Sequence, residues 1–179
     1  LSKLKLAKNK ACIAVQGFGN VGMNFAVIAY RAGYKIAAVS DSKGGIYEEK
    51  GLDIEKVLSH KQATGSVVDF KGAKNITNEK LLELPVEVIV PSALENVINE
   101  KNSGRIKAKI ILELANGPTT EEAEAKLLKK GVLIVPDVLA NAGGVIASYF
   151  EWVQNSRLYY WEHARVDDRL KDKVISAFK

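Results

Sequence analysis

The strongest constraint on the fold lies between Ala11 and Asp41. Ala11-Cys12-Ile13-Ala14-Val15 is a short unbroken apolar run, the pattern of a strand buried on both faces of a parallel sheet. Gly17-Phe18-Gly19-Asn20-Val21-Gly22 follows at once and opens a helical pattern. Met23, Ala26, Val27 and Tyr30 form its apolar face and Gly33 stops it. A second strand, Lys35 to Ser40, ends at an acid, Asp41. The three glycines have separate tasks. Gly17 lets the chain turn sharply out of the strand, Gly19 lets backbone approach a phosphate, and Gly22 lets helix and strand pack closely. Phosphates would then face the free N–H groups and positive dipole end of the helix.

A lone G-x-G-x-x-G is weak evidence. Here a strand precedes it, a helix follows, and a second strand ends in an acid about 20 residues on, as a dinucleotide-binding unit requires. A glycine-rich turn in some other βαβ unit is the plainer alternative. Asp41 can accept from both ribose hydroxyls of an adenosine and would repel a 2′-phosphate. Lys43 can instead pair with that phosphate. NAD is therefore the expected cofactor, with NADP tolerated.

The 179 residues suffice for one domain with a sizeable core. No apolar run can span a bilayer and no signal peptide is evident, so a cytoplasmic protein with no membrane partner is expected. The single cysteine, Cys12, cannot form an internal disulfide and reads as a buried structural thiol. His60 and His163 lie in helical stretches among charges, read as solvated, and have no metal-ligand company. The net charge is +5, with Lys3, Lys5, Lys8 and Lys10 clustered and more basic residues near the C-terminus. That reads as a solvated basic surface, because no aromatic platform or recognition helix supports nucleic acid. The only methionine, Met23, lies inside the first helix, so a chain starting at Leu1 reads as a piece of a longer protein or an isolated domain.

Beyond the opening unit, Leu4 and Leu6 are candidate packing residues in a polar lead-in, and Ser42 to Tyr47 reads as a loop. Asp53 caps a short helix through Leu58, and Gly65 to Phe70 is a possible strand. Thr77 or Asn78 caps a helix that Pro85 ends. Val86 to Val90 is a buried strand, and Ser92 with Glu95 has capping-box spacing ahead of Val97 and Ile98. Lys107 to Ala115 contains a strand centred on Ile110-Ile111-Leu112. Thr119 with Glu122 suggests another capping box, with a helix to Gly131. Val132 to Val135 is a last strand, and the chain is helical from about Asn141. This alternation predicts an α/β fold: a doubly wound, mostly parallel sheet with helices on both faces and C-terminal helices. Ligands of such sheets lie outside the carboxyl ends of the strands. Asn116 and Asn141 both follow strands. Each amide suits a carboxamide or a ribose, and each equally suits a turn.

Five segments occur in order: Gln16-Gly17-Phe18-Gly19-Asn20-Val21-Gly22, Ser40-Asp41-Ser42-Lys43-Gly44-Gly45, Pro91-Ser92-Ala93-Leu94-Glu95-Asn96, Ala115-Asn116-Gly117-Pro118-Thr119-Thr120 and Asn141-Ala142-Gly143-Gly144-Val145. Together they resemble the Rossmann-like cofactor-binding domain of the glutamate dehydrogenases, within the glutamate/leucine/phenylalanine/valine dehydrogenase family. The resemblance covers nearly the whole chain, 1–179, as one NAD(P)-binding domain. It implies oxidative deamination of an L-amino acid to a 2-oxo acid and ammonia, with hydride passing to a nicotinamide. It implies cofactor contacts at Gly17, Phe18, Gly19, Asn20, Val21, Gly22, Asp41, Ser42, Ser92, Ala93 and Ala115. By it, Asn116 and Asn141 hold the nicotinamide ribose and carboxamide, and Val145 and Ser148 line the substrate pocket. Ser148-Tyr149-Phe150-Glu151-Trp152 is similar to the glutamate branch. Leu114 departs from the family, which commonly has glycine there. The family's catalytic lysine and aspartate lie in an amino-terminal substrate domain with no counterpart here. The resemblance therefore implies that no catalytic residue lies in this chain and that the isolated domain is inactive. The parent is expected to be a homohexamer. A stand-alone nucleotide-sensing module, and a leucine, phenylalanine or valine dehydrogenase, are the alternatives.

Overall fold

The computed structural model describes residues 11–178, so the lysine cluster from Lys3 to Lys10, with Leu4 and Leu6, lies outside the described residues. The described residues form two compact units, divided between Val135 and Pro136.

The first unit is built on a seven-stranded sheet. Strand β1 (Cys12–Gln16) lies at its centre. It pairs in parallel with β2 (Lys35–Asp41) on one side and with β5 (Val88–Pro91) on the other. Beyond β5, the parallel order continues through β6 (Ile110–Leu112) and β7 (Leu133–Val135). Beyond β2, β3 (Gly44–Tyr47) and β4 (Lys74–Ile76) are antiparallel. The chain thus leaves β1 toward one edge and later returns to its other side, which opens a crevice at the carboxyl end of β1.

Alternation along β1 explains why the sheet is covered twice. Cys12 and Ala14 belong to one apolar cluster, with Leu81 and Leu82 of α3 (Asn78–Leu82) and Ala123 and Leu127 of α4 (Glu121–Lys129). Ile13 and Val15 belong to the other, with Ala26 and Ala29 of α1 (Asn20–Arg31) and Ile54 and Val57 of α2 (Ile54–Thr64). Period-two burial on both faces is what an unbroken apolar run allows. In α1 the fully buried column is Gly22, Ala26 and Ala29, while Met23, Val27 and Tyr30 pack half-buried at its margin.

Four local expectations are corrected. Ser42 to Tyr47 is not all loop, because Gly44–Tyr47 folds back as β3 against β2. Gly45 faces Ser40, where an added Cβ would lie 3.0 Å from the Ser40 Cβ. Gly65 to Phe70 forms turns, and the strand comes later, at Lys74–Ile76. Ser92 starts no helix. Its hydroxyl donates back to the Val90 carbonyl at 3.3 Å, and the Asn96 and Ile98 amides bond to the carbonyls of Gly117 and Pro118 instead of to a helical turn. The cap of α4 is Thr120, one residue after Thr119, with its hydroxyl accepting from the Ala123 amide. Asp53 and Thr77 cap α2 and α3 as expected, accepting from Lys56 and Lys80.

The second unit is helical, with α5 (Asp137–Ala140), α6 (Ala142–Arg157) and α7 (His163–Ala177). Phe150 is buried there and meets the Trp161 ring edge-on, with centroids 5.6 Å apart. Arg169 lies over the same Trp161 ring, 4.3 Å from its centroid. Among the described residues, no helix is long and apolar enough to cross a membrane.

Candidate functional site

The Gly17 turn is set by close contacts. Gly17 has φ +97°, and a Cβ there would lie 2.6 Å from the Cβ of Ala93. At Gly22 a Cβ would lie 1.9 Å from the Gly17 carbonyl oxygen and 3.1 Å from the Ser92 Cβ. At Gly19 an added Cβ meets nothing within 4 Å, so it would point into open space. The turn, the first turn of α1 and the Ser92-Ala93 segment are therefore packed backbone to backbone, while Gly19 faces outward.

Gly19 is the N-cap of α1, no side chain caps the helix, and no acid lies in its first turn. The Met23 amide donates to the Gly19 carbonyl at 2.8 Å, the first bond of the helix. The N–H groups ahead of it have no acceptor within the helix, and they carry the positive end of its dipole. That is the chemistry of an anion site.

Beside this turn lies a cavity of about 690 Å³. Gln16, Gly17, Phe18, Gly19, Asp41, Ser42, Lys61 and Ala93 line it, together with Asn78, Leu82, Leu94, Val97, Asn99 and Asn102. Seven residues read from the sequence as one segment each thus converge: Gln16 to Gly19 from the first, Asp41 and Ser42 from the second, and Ala93 from the third. Asn20, Val21 and Gly22 lie just behind, in the first turn of α1, and Ser92 lies beneath Gly22.

Asp41 has more partners than its position at a strand end suggests. Its side chain is only 8 % exposed. One carboxylate oxygen accepts from the Lys43 amide at 2.9 Å and the Ser66 hydroxyl at 3.2 Å. The other accepts from the Val67 amide at 2.8 Å and lies 3.8 Å from the Lys61 ammonium. Burial pushes this carboxyl up, but the Lys43 and Val67 amides, the Ser66 hydroxyl and the Lys61 charge outweigh it. The net pKa lies below the ordinary carboxylate value. Asp41 therefore ties the end of β2 to the 66–67 loop as well as facing the cavity.

Lys61 is the residue that reading the sequence missed. Its ammonium donates to the Phe18 carbonyl at 2.6 Å and lies 5.6 Å from the Phe18 ring centroid. It is the cation nearest Asp41, and it pins the glycine-rich turn. The helix expected to end at Leu58 runs to Thr64, and this extension carries Lys61 to the turn. The signal was present: Ile54, Val57, Leu58 and Lys61 follow the i, i+3, i+4, i+7 spacing of one face. His60 is corrected by the same extension. It is half-buried, its Nε2 is 2.9 Å from the Val68 carbonyl, and its ring meets Phe70 edge-on.

Ala115 and Asn116 follow β6. The Ala115 amide donates to the Pro91 carbonyl at 2.9 Å, which ties this strand end to that of β5, and Asn116 is exposed. Leu114, half-buried, packs against the apolar cluster of the α1 face. In the second unit, Asn141 lies at the junction of α5 and α6, and Val145 and Ser148 are exposed one and two turns further along α6. Cys12 is buried, and its thiol is pushed up by burial. Among the described residues, no cluster of histidine, cysteine, aspartate or glutamate could hold a metal.

Comparison with known proteins places the chain in a family. The model of the family described as glutamate/leucine/phenylalanine/valine dehydrogenase matches residues 1–179. An NADP-specific glutamate dehydrogenase of Synechocystis is 45 % identical over 184 residues, covering 98 % of this chain and 43 % of that protein. A cryptic catabolic NAD-specific glutamate dehydrogenase of Bacillus subtilis is 45 % identical over 168 residues, covering 94 % of this chain and 39 % of that protein. The crystal structure of a hetero-hexameric glutamate dehydrogenase from Thermus thermophilus superposes with a TM-score of 0.89 at 37 % identity, covering 98 % of this chain and 41 % of that one. The chain thus spans about two fifths of the length of the proteins it matches.

Proposed function

The chain belongs to the glutamate/leucine/phenylalanine/valine dehydrogenase family, and on that premise we propose that it is the NAD(P)-binding part of a glutamate dehydrogenase. The reaction would be oxidative deamination of L-glutamate to 2-oxoglutarate and ammonia, in a hexameric parent. The observation that carries the nucleotide reading is the uncapped N-terminus of α1, which opens beside the cavity at Gly19, the one glycine of the Gly17–Gly22 turn whose added Cβ would meet nothing within 4 Å. The seven-stranded sheet with helices on both faces supports a Rossmann-like, doubly wound fold for this unit.

When bound, a nicotinamide dinucleotide supplies the hydride acceptor. The residues of this chain bind and orient it. N–H groups of Gly19 to Gly22 would meet the pyrophosphate. Asp41 and Ser42 would face the adenosine ribose, and Ser92, Ala93 and Ala115 would flank the dinucleotide. Asn116 and Asn141 would hold the nicotinamide ribose and carboxamide. Val145 and Ser148 would meet the substrate side chain, where a hydroxyl can donate to a carboxylate. Proton transfer to and from the amino acid falls to residues outside this chain, so the chain alone binds cofactor without turning over glutamate. Relatives of equal identity differ in cofactor. NAD is favoured by Asp41, and NADP is tolerated because Lys61 and Lys43 offset its charge.

Calorimetric titration of the chain with NAD and NADP tests this. Gly19→Val adds a branched side chain at φ −81°, where the protein leaves space, so the fold should be intact. Dinucleotide affinity should fall by about tenfold or more, equivalent to about 1.4 kcal/mol. Unchanged affinity would remove the pyrophosphate from this loop.

A further inference from the structure

We infer that Gln16 is the residue of the cavity that reads the edge of the adenine base, an assignment that rests on the nucleotide reading above. Gln16 is the last residue of β1, directly before Gly17. It is 6 % exposed, it lines the cavity, and its side-chain Oε1 is buried with no hydrogen-bond partner. A buried amide oxygen without a donor is costly, and a ligand donor is one way to offset it.

The other amides of the cavity wall each bond to the protein, and none has a buried oxygen without a donor. Asn78 donates to the Asp41 carbonyl at 2.9 Å. Asn99 donates to the Asn96 carbonyl and accepts from the Lys101 amide. Asn102 donates to the Val97 carbonyl at 2.7 Å and accepts from the Asn99 amide. Beside Glu79, an exposed carboxylate at the start of α3, this part of the wall offers Leu82, Leu94 and Val97. The three apolar side chains suit the faces of a flat ring, and Gln16, whose amide oxygen is buried without a donor, suits its edge.

Adenine matches that carboxamide in chemistry. Its exocyclic amine is a donor placed next to a ring-nitrogen acceptor, and a glutamine amide offers an acceptor next to a donor. Gln16 lies on the same face of β1 as Cys12 and Ala14, toward α3, the side on which Leu82 and Asn78 stand. The first turn of α1, which would take the pyrophosphate, lies on the opposite face. A dinucleotide with its phosphates at α1 would thus have its base on the Gln16 side.

The test compares NAD with its 1,N6-etheno analogue, in which the amine has no free hydrogen pair and the adjacent ring nitrogen is blocked. Wild type should bind NAD about three- to tenfold more tightly, the range of one or two neutral hydrogen bonds. Gln16→Met, which keeps the volume and removes both polar atoms, should lose that factor for NAD and leave the analogue unchanged. Equal binding of the two ligands by wild type would overturn the assignment without any variant being made. So would a Gln16→Met chain that keeps the wild-type ratio, or that weakens for both ligands alike. Failure of wild type to bind either ligand would overturn the nucleotide reading as well, which separates the two conclusions.

Discussion

Replacing Gly17 by alanine tests whether the turn is held by contact or by conformation alone. Two costs arise. At φ +97° an alanine is strained, at about 1–2 kcal/mol, partly offset because alanine lowers the entropy of the unfolded chain by about 0.4–1 kcal/mol. The new methyl also lies 2.6 Å from the Ala93 Cβ and 3.1 Å from its amide nitrogen, far inside contact distance. Relieving such overpacking typically costs about 1–3 kcal/mol. The sum is about 3 kcal/mol, which for a protein of this size lowers Tm by about 6–12 °C. Gly65 supplies the control in the same unit. Its φ is +79°, and a Cβ there meets nothing within 4 Å. Gly65→Ala should therefore show the backbone cost alone, about 1 kcal/mol and a loss of about 2–4 °C. The assay is thermal unfolding of both variants followed by circular dichroism. Equal destabilisation by the two would show that the Ala93 contact carries no energy, and the close packing of the turn on the Ser92-Ala93 segment would be refuted.

Other expectations concern charge, capping and substrate. The folded pKa of Asp41 is depressed, so its contribution to stability is present above the unfolded value near 3.8 and is lost as pH falls through the folded value. Asp41→Asn should be destabilised at pH 7 by about 1–3 kcal/mol, with the gap from wild type closing below about pH 4 in urea titrations; a constant gap would refute it. Thr120→Ala should cost about 1 kcal/mol as a lost cap. Thr119→Val, which removes a buried hydroxyl without a partner, should be neutral or stabilising in the same unfolding assay. In a full-length enzyme carrying this sequence, Ser148→Val should reduce kcat/KM for glutamate by about tenfold or more and spare aliphatic amino acids. An equal decline for both would make Ser148 structural. That residue is exposed on α6, so the substitution should not affect folding.

Local signals determined much of this chain. The apolar run at Cys12 to Val15, the spacing of Gly17, Gly19 and Gly22, and the acid at Asp41 specify a strand, a tight turn, a helix and a second strand, because each depends on neighbours in sequence. The caps at Asp53 and Thr77 were legible for the same reason, since a cap bonds only three residues ahead. Tertiary structure decided whatever depends on partners distant in sequence. Gly44–Tyr47 became a strand because β2 offered an edge, and Ser92 began no helix because the carbonyls of Gly117 and Pro118 took its followers' amides. The saturation of Asp41 by Ser66, Val67 and Lys61, and the burial of the Gln16 amide oxygen without a donor, arise only when segments distant in sequence meet. Periodicity places a side chain on a face; which donors and acceptors wait there is set by how the other elements pack.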